Sequence, residues 1–509
     1  MFADICTGLI SILTPETIGA VALGIFTGLM FGAIPGISGI MAISILLPLT
    51  FYVSPLVGIP MLLGIYKASM FGGSITAVLL NTPGAPPAVC TAMDGYPLTK
   101  QGKAGKGLNA ALVGSGFGDT FSNILLICVA APLSYLTLKV GPVEQCSLIL
   151  LALTVVGSIS GSSILKGILC AGVGILLATV GVSGTTGAMR FTFENENLMS
   201  GIALIPMVIG LLCLPEVIHQ ACSGIRKTFE QQFDLSGENG RLSWQEIKSR
   251  IPVLLRSSII GSVIGAMPGL GASPAAYMAY SEAQRTSKHP EQFGKGAIEG
   301  VMAPEAANNA VTGSAMIPLL TLGIPGDATL ALLLATFAIH NLTPGVRLMV
   351  DFPDVVYASF ITLVIANLML IPSAILTVRL FGTLMRIPSP LFIGFILLLS
   401  LLGAFISRNL SFDLSVAIVM GLVGFAMRLW DFPAAAMLIG FVLGPQFEYR
   451  LGQVFLFKGE LSWLEYFSQN PVGTGLLVIT AFILLSPIYS ALRRKGGDAA
   501  TPDAASSEE

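Results

Sequence analysis

From residue 17 to residue 491 the sequence is a succession of apolar runs. Most are close to the roughly 20 residues that an α-helix needs to cross a hydrocarbon layer. They centre on 17–34, 40–63, 107–131, 145–160, 163–182, 199–218, 252–266, 310–338, 355–379, 388–407, 411–429, 432–446 and 471–491. In lipid every backbone N–H and C=O must find an internal partner, so runs of this length read as helices. They predict an all-α polytopic membrane protein with about 10–13 transmembrane helices. A water-soluble fold is excluded by composition: 11% of the 509 residues are charged, against about 25% in a soluble globular chain. The net charge of -2 and the lack of a basic block give no footprint for nucleic acid. Seven scattered cysteines without a C-x-x-C pair argue against a zinc site or a disulfide framework.

Two stretches are not membrane. Residues 221–250 place Arg226, Lys227, Arg241, Lys248 and Arg250 among acids, and Arg493-Arg494-Lys495 precedes a polar tail. Positive charge beside spans marks the cytoplasmic side, so both stretches are expected there, with an even number of crossings between them. Segment 190–197, with Glu194 and Glu196, fits the opposite face. The expected layout is a first membrane repeat (1–220), a cytoplasmic linker (221–250), a second repeat (251–465), a C-terminal membrane helix (466–492) and a disordered cytoplasmic tail (493–509). Met1 to Glu16 holds no Lys or Arg, so the first apolar run is expected to stay as a membrane helix and not to be cleaved as a signal.

The repeat itself is written in Pro-Gly pairs. Gly32-Ala33-Ile34-Pro35-Gly36-Ile37-Ser38-Gly39 resembles Gly265-Ala266-Met267-Pro268-Gly269-Leu270-Gly271-Ala272, an offset of 233 residues. Leu80-Asn81-Thr82-Pro83-Gly84-Ala85 and Gly323-Ile324-Pro325-Gly326-Asp327-Ala328 follow at an offset of 242, the difference matching a charged insertion around 282–296. A second register, with Pro83 laid on Pro268, also aligns Gly105-Lys106-Gly107 near Gly294-Lys295-Gly296. The first register pairs both breaks in order. Either gives two homologous halves with Pro-Gly-broken helices or re-entrant hairpins.

Proline removes a backbone donor and glycine admits positive φ, so each pair breaks a helix. Broken helices survive in a membrane where they are buried in protein or line a wet cavity, and transporters build midplane sites from them. A half-helix N-terminus offers N–H groups and a positive dipole end to an anion. The candidate substrate site is therefore Pro35, Gly36 and Ser38; Asn81, Thr82, Pro83 and Gly84; Pro268 and Gly269; Asn308 and Asn309; and Pro325 and Gly326. Asp119 and Glu305 lie in apolar context, where ionisable residues are costly and functional by default. With Thr321 they are the candidates for ion coupling; an interhelical hydrogen-bonding patch is the plainer reading of the acids. Lys67, Lys106 and Lys295 read best as side chains reaching the interface.

Phe71-Gly72-Gly73-Ser74-Ile75-Thr76-Ala77-Val78-Leu79-Leu80-Asn81-Thr82-Pro83-Gly84 resembles the signature of the large membrane subunit of the tripartite tricarboxylate transporters. So do Asp94-Gly95-Tyr96-Pro97, Ala303-Pro304-Glu305-Ala306-Ala307-Asn308-Asn309-Ala310 and Leu320-Thr321-Leu322-Gly323-Ile324-Pro325-Gly326. The resemblance covers roughly residues 15–450. It implies a secondary carrier of about a dozen spans in a bacterial inner membrane. The carrier would work with a small four-span membrane subunit and a periplasmic solute-binding protein, importing citrate or other carboxylates on a Na⁺ or H⁺ gradient. No organic cofactor or resident metal is implied beyond such a coupling ion. A stand-alone carboxylate carrier or channel is the alternative. Gly36-Ile37-Ser38-Gly39 and Gly181-Val182-Ser183-Gly184 fit a rhomboid-like protease pattern, but His219, His289 and His340 all fall near helix ends or loops, so no enzyme is expected.

Overall fold

The computed structural model describes residues 2–34, 37–137, 140–159, 163–222, 242–345, 348–384 and 389–497. Pro35 and Gly36, most of the expected linker (223–241) and the tail beyond 497 lie outside the described residues. The first half holds α1 (Phe2–Ile12), α2 (Pro15–Ala33), α3 (Gly39–Leu46, carried by a 3-10 turn to Tyr52), α4 (Pro55–Leu80), α5 (Ala88–Lys100), α6 (Ala104–Thr137), α7 (Pro142–Ile159) and α8 (Ile164–Ala178). A two-residue antiparallel hairpin, β1 (Gly181–Val182) with β2 (Met189–Arg190), precedes α9 (Glu196–Met199), α10 (Leu204–Val208) and, after a π turn, α11 (Leu214–Cys222). The second half holds α12 (Trp244–Ser249), α13 (Ile251–Gly265), α14 (Ala272–Thr286), α15 (Ile298–Ser314), α16 (Met316–Leu322), α17 (Ala328–Ile339), α18 (Leu348–Asp351), α19 (Pro353–Leu384), α20 (Ser389–Ile406), α21 (Ser411–Leu429), α22 (Ala434–Lys458), α23 (Trp463–Gln469) and α24 (Pro471–Gly497).

Among the described residues six helices are each long and apolar enough to cross a membrane: α2, α4, Ala104–Ala130 of α6, Leu204–Cys222, Pro353–Phe381 of α19, and α21. The pair α23 and α24, bent by 110°, makes a seventh. Other apolar helices, including α8, α13 and α17, are shorter, as expected where Pro-Gly pairs and short turns divide the apolar runs.

The repeat is visible as duplicated packing. Gly24, Gly28 and Gly32 of α2 lie on Met61, Ile65 and Ser69 of α4, so the two helices run parallel. Gly261 and Gly265 of α13 lie on Ala307 and on Val311 and Ser314 of α15, again parallel. Gly28 to Gly261 is the offset of 233 and Ile65 to Ala307 the offset of 242, so contacts obey the first register position by position. A β-carbon at Gly28 would sit 2.6 Å from the Ile65 carbonyl oxygen, and one at Gly261 2.2 Å from that of Ala307. Only glycine permits either approach.

Each repeat opens with a helical hairpin. Thr14 accepts from the Thr17 amide at 3.2 Å with Pro15 at the first helical position, which fixes the start of α2. Thr17 Oγ1 donates to the Leu56 carbonyl at 3.1 Å, so α2 and α4 start together and the chain must return through α3. In the second repeat the Arg256–Glu282 pair (3.7 Å) ties the outer ends of α13 and α14. Arg250–Glu299 (3.7 Å) joins the starts of α13 and α15.

The two repeats are inverted. Lys106 pairs with Glu246 of α12 at 2.6 Å, so α6, α13 and α15 all begin at the linker end. The Lys106 ammonium and the capping box with Ser243 hold the Glu246 carboxyl down to about 2. By contrast α4 ends there, since Thr99 of α5 donates to the Val78 carbonyl at 2.8 Å and Gln101 to the Lys295 carbonyl at 2.7 Å. Ser74 of α4 meets Glu305, and Tyr66 meets Asp327, the spacing of an antiparallel pair. Helix α4 is buried from Gly58 to Leu80 apart from Met70, and α15 with α16 from Gly300 to Thr321. These two repeat-related helices are the centre of the molecule. Helix α24 starts beside α7 (Gly473 against Val143), which follows the far end of α6, and so runs back toward the linker end.

Two outcomes follow from this packing. Gly28→Val and Gly261→Val should each destabilise the detergent-solubilised protein by about 1–3 kcal/mol or more through overpacking. Gly19→Val and Gly172→Val, with no atom within 4 Å of the added carbon, should leave the thermal midpoint unchanged. In sealed vesicles, cysteines placed at the exposed Lys295 and Glu194 should react with an impermeant thiol reagent from opposite faces.

Candidate functional site

The second break of each repeat begins at a left-handed helix end. Asn81 closes α4 with φ 54° and Gly323 closes α16 with φ 73°, and a proline follows two residues later in both. Glycine or asparagine tolerates that conformation, and proline then forbids further helix. The chain turns back on itself. The Gly84 amide donates to the Gly73 carbonyl at 3.1 Å, and a β-carbon at Gly84 would lie 2.0 Å from the Gly32 carbonyl oxygen. In the other repeat Gly326 faces Ala315 and the Gly265 carbonyl, the counterparts of Gly73 and Gly32. Its own carbonyl accepts the Gly269 amide at 2.9 Å. In the second repeat hairpin tip therefore meets loop tip; in the first, Gly84 of the loop meets the last turn of α2 at Gly32 and α4 at Gly73.

Beyond the hairpin tips, α3 and α14 start at repeat-related residues, Gly39 and Ala272. Neither start is capped by a side chain: Ser38 makes no cap hydrogen bond, and Gly271 has no side chain to offer. Their leading N–H groups and positive dipole ends thus have no side-chain cap. The start of α17 is different. Asp327 caps it, its Oδ1 accepting the Leu330 amide at 2.8 Å, while Oδ2 accepts the Tyr66 hydroxyl at 3.3 Å. That start already holds a carboxylate of its own chain. The two open starts flank this pair. A β-carbon at Gly39 would strike Ser69 Oγ, which donates to the Tyr66 carbonyl at 3.0 Å, and one at Gly271 would lie 3.9 Å from Asp327 Cβ.

A second polar group threads α4, α6 and α15. Ser115, Asp119 and Asn123 stand one turn apart on α6 and face both central helices. Lys67 Nζ donates to Asp119 Oδ1 at 2.5 Å and to Asn123 Oδ1 at 3.2 Å. Thr312 Oγ1 donates to Asp119 Oδ1 at 2.8 Å. Glu305 accepts from Ser74 (2.5 Å), from Ser115 (2.8 Å) and from Thr91. Asn309 Nδ2 donates to Ser115 Oγ at 2.9 Å and to the Glu305 carbonyl at 3.0 Å. Lys67 is 1% exposed and Asp119 and Glu305 are fully buried. Lys67 thus pairs with Asp119 while Glu305 is surrounded by hydroxyls and an amide, inside a packed core where removing charges from water costs several kcal/mol per ion. Asp119 Oδ2, Asn309 Oδ1 and both amide atoms of Asn308 are buried without a partner, so the ladder retains unused acceptors and donors.

Most of the expected site residues that the structure describes divide between these two places. Ser38, Pro83, Gly84, Pro268, Gly269, Pro325 and Gly326 lie at the crossing tips. Asp119, Glu305 and Asn309 lie on the ladder. Asn81 is exposed at the rim of α4, and Thr82 Oγ1 is turned to the Leu80 carbonyl at 3.2 Å. Thr321 Oγ1 donates to the Ile317 carbonyl of its own helix at 2.7 Å. The expectation that Lys67 reaches the interface is overturned: it is the buried partner of Asp119. Its signal was the register itself, since 242 residues on stands Asn309, another ladder residue. Asp94, which the sequence offers only within a family-like segment and not as a site residue, accepts the Tyr280 hydroxyl at 2.9 Å and the Gly296 and Ala297 amides at 2.8 Å each, tying α5 to the loop before α15.

Removing one member of the buried pair should be worse than removing both. Lys67→Met and Asp119→Leu singly should each cost about 3–5 kcal/mol by leaving an unpaired charge, while the double variant should recover a large part of the loss. Thermal unfolding in detergent reads this directly.

Residues 18–439 match the family described as "Tripartite tricarboxylate transporter TctA family". A protein of Agrobacterium vitis, "Uncharacterized 52.8 kDa protein in TAR-I ttuC' 3'region", is 33% identical over 502 residues, 97% of this chain and 98% of that one. A second from the same organism, "Uncharacterized protein in TAR-II ttuC' 3'region", is 32% identical over 236 residues, 46% of this chain and 96% of its own length. No solved structure matches.

Proposed function

The chain belongs to the tripartite tricarboxylate transporter TctA family, and from that premise we propose that it forms the translocation path of a binding-protein-dependent secondary carrier for citrate-like tricarboxylates or related carboxylates. The observation that carries this reading is the pair of uncapped helix starts at Gly39 and Ala272, related by the inverted repeat and set either side of Tyr66 and Asp327. Two such starts offer backbone N–H groups to two carboxylates of one solute, beside an Asp327 carboxyl that is already held by the Leu330 amide and the Tyr66 hydroxyl. Inverted repeats with discontinuous helices suit alternating access, one hairpin and loop opening while the other pair stays closed.

The ladder is the proposed coupling element. Asp119 and Glu305, with neutral hydroxyl and amide ligands around them, suit uptake of Na⁺ or H⁺ from a gradient, and Asn308 and Asn309 supply unused polar atoms beside them. Lys67 then sets the charge balance that ion arrival disturbs. The partners in this reading are a small four-span membrane subunit and a periplasmic solute-binding protein. The setting is a bacterial inner membrane with the linker end and the C-terminus in the cytoplasm. The chain carries no catalytic centre in this account.

The test is uptake of labelled citrate into proteoliposomes holding this chain and the small membrane subunit, under an inward Na⁺ gradient, with and without the binding protein. Accumulation above equilibrium that requires the binding protein is expected. Gly84→Val, whose β-carbon meets the Gly32 carbonyl at 2.0 Å, should lower the folded yield and abolish uptake per folded molecule. Gly326→Ala, at 3.1 Å from Ala315, should slow it less. Uptake that only dissipates a gradient would indicate a channel, and uptake without the binding protein a stand-alone carrier.

A further inference from the structure

The end of the molecule opposite the linker is hollow. A pocket of about 290 Å³ is lined by Gln145, Thr343, Gln446, Tyr449 and Arg450, with Leu322 and Ile324 as its floor. A second hollow of about 510 Å³ adjoins it, sharing Thr343, Pro344 and Gln446, and is walled by Arg190 and Glu448. The floor of the smaller pocket is the left-handed end of α16 at Gly323, the start of the second break. A β-carbon at Gly323 would lie 2.6 Å from the Pro344 carbonyl oxygen and 3.2 Å from Gln446 Oε1. Ile324 of the pocket floor is followed directly by the Pro325-Gly326 tip.

Its charge is one-sided. Among the described residues Arg450 has no carboxylate partner: Nη1 donates to Gln453 Oε1 at 2.9 Å, and the guanidinium lies 5.3 Å from the Tyr449 ring centroid. The neighbouring acid is spoken for. Glu448 accepts from Arg190 (2.9 Å), Ser183 (2.8 Å) and Thr185 (3.2 Å). Among the described residues the pocket lining holds no Asp or Glu. Its remaining polar groups are two amides, a threonine hydroxyl and a phenol, all neutral. A half-buried arginine beside neutral donors is suited to a planar carboxylate, which the guanidinium fork binds through two parallel hydrogen bonds. Ligand pockets run from about 300 Å³ upward, so this one has room for a small acid and too little for a protein segment.

We propose that this pocket is an outer binding subsite in which Arg450 takes one carboxylate of the incoming solute before the solute reaches the Pro-Gly tips. The inference rests on the carrier reading above and adds a place and a residue to it. The subsite captures; it does not translocate. Loss of Arg450 thus acts on apparent affinity and leaves turnover at saturating solute intact.

The test uses the full chain with its small membrane subunit and binding protein, with citrate and succinate as probes. Arg450→Gln should raise the KM for uptake by about tenfold, the worth of one charge-assisted contact, with kcat unchanged. Direct titration of citrate onto the nanodisc-embedded chain should weaken by a similar factor. Arg450→Lys, which keeps the charge and loses the fork, should fall between. Arg190→Gln, whose guanidinium is committed to Glu448, should leave both readings alone if the folded yield is retained. Wild-type KM and wild-type titration in Arg450→Gln would overturn the subsite while leaving the carrier standing. A raised KM with unaltered direct titration would also overturn it, and would assign Arg450 to contact with the binding protein. No uptake and no binding of either acid by the wild-type chain would overturn the carrier reading and the subsite together.

Discussion

A helix that stops inside hydrocarbon leaves backbone groups that cost several kcal/mol each unless something satisfies them. This chain stops helices at four Pro-Gly pairs, and the architecture follows from how those ends are satisfied. The Gly269 amide is bound by the Gly326 carbonyl, and the Gly84 amide by the Gly73 carbonyl. Such contacts bring a broken end against another break or against a helix with no side chain between them. That places glycine at Gly32, Gly73 and Gly84, and makes the parallel packing of α2 on α4 and of α13 on α15 as close as glycine allows. Long central helices buried on every side then follow, since each must support a hairpin and a loop at once.

Inversion gives the two copies different tasks on one scaffold. At the same repeat position stand Lys67 and Asn309, Tyr66 and Asn308, Ala85 and Asp327. In the first repeat the central helix carries a cation and a phenol; in the second it carries two amides. Lys67 and Asn309 meet through α6 in one ladder, while Tyr66 turns to Asp327. The capped start of α17 and the uncapped starts of α3 and α14 show the same division: Asp327 closes one dipole end, and no side chain closes the other two. A symmetric backbone with asymmetric side chains is what a carrier needs to bind one solute between halves that exchange roles.

Much of this was legible in the residues. The apolar runs gave the class, and the paired Pro-Gly segments gave the repeat with both offsets. Choosing between registers required contacts such as Gly28 on Ile65 against Gly261 on Ala307. Inversion was not readable, because it depends on whether short segments such as 39–52 cross or return, and apolar length alone does not distinguish a crossing from a hairpin arm. Lys67 was misread for a related reason: a lysine in an apolar run looks alike whether it reaches the interface or meets an acid 52 residues on. Asn81 stood beside a break and invited a ligand role, whereas its φ of 54° marks it as the residue that ends the helix. Arg450 carries no motif at all; only the fold puts it over the floor formed by Leu322 and Ile324.

The central claim is that the starts of α3 and α14 together hold the solute. Single cysteines at Ser38 and Ser273, in a chain freed of its native cysteines, report on both starts at once. In proteoliposomes containing the complete assembly, each should react with a small hydrophilic thiol reagent, and citrate should slow both reactions in the same concentration range. Protection at both positions with matching concentration dependence is the predicted result. Reactivity at both positions that no carboxylate slows, or protection at one position alone, would contradict a site shared between the two repeats.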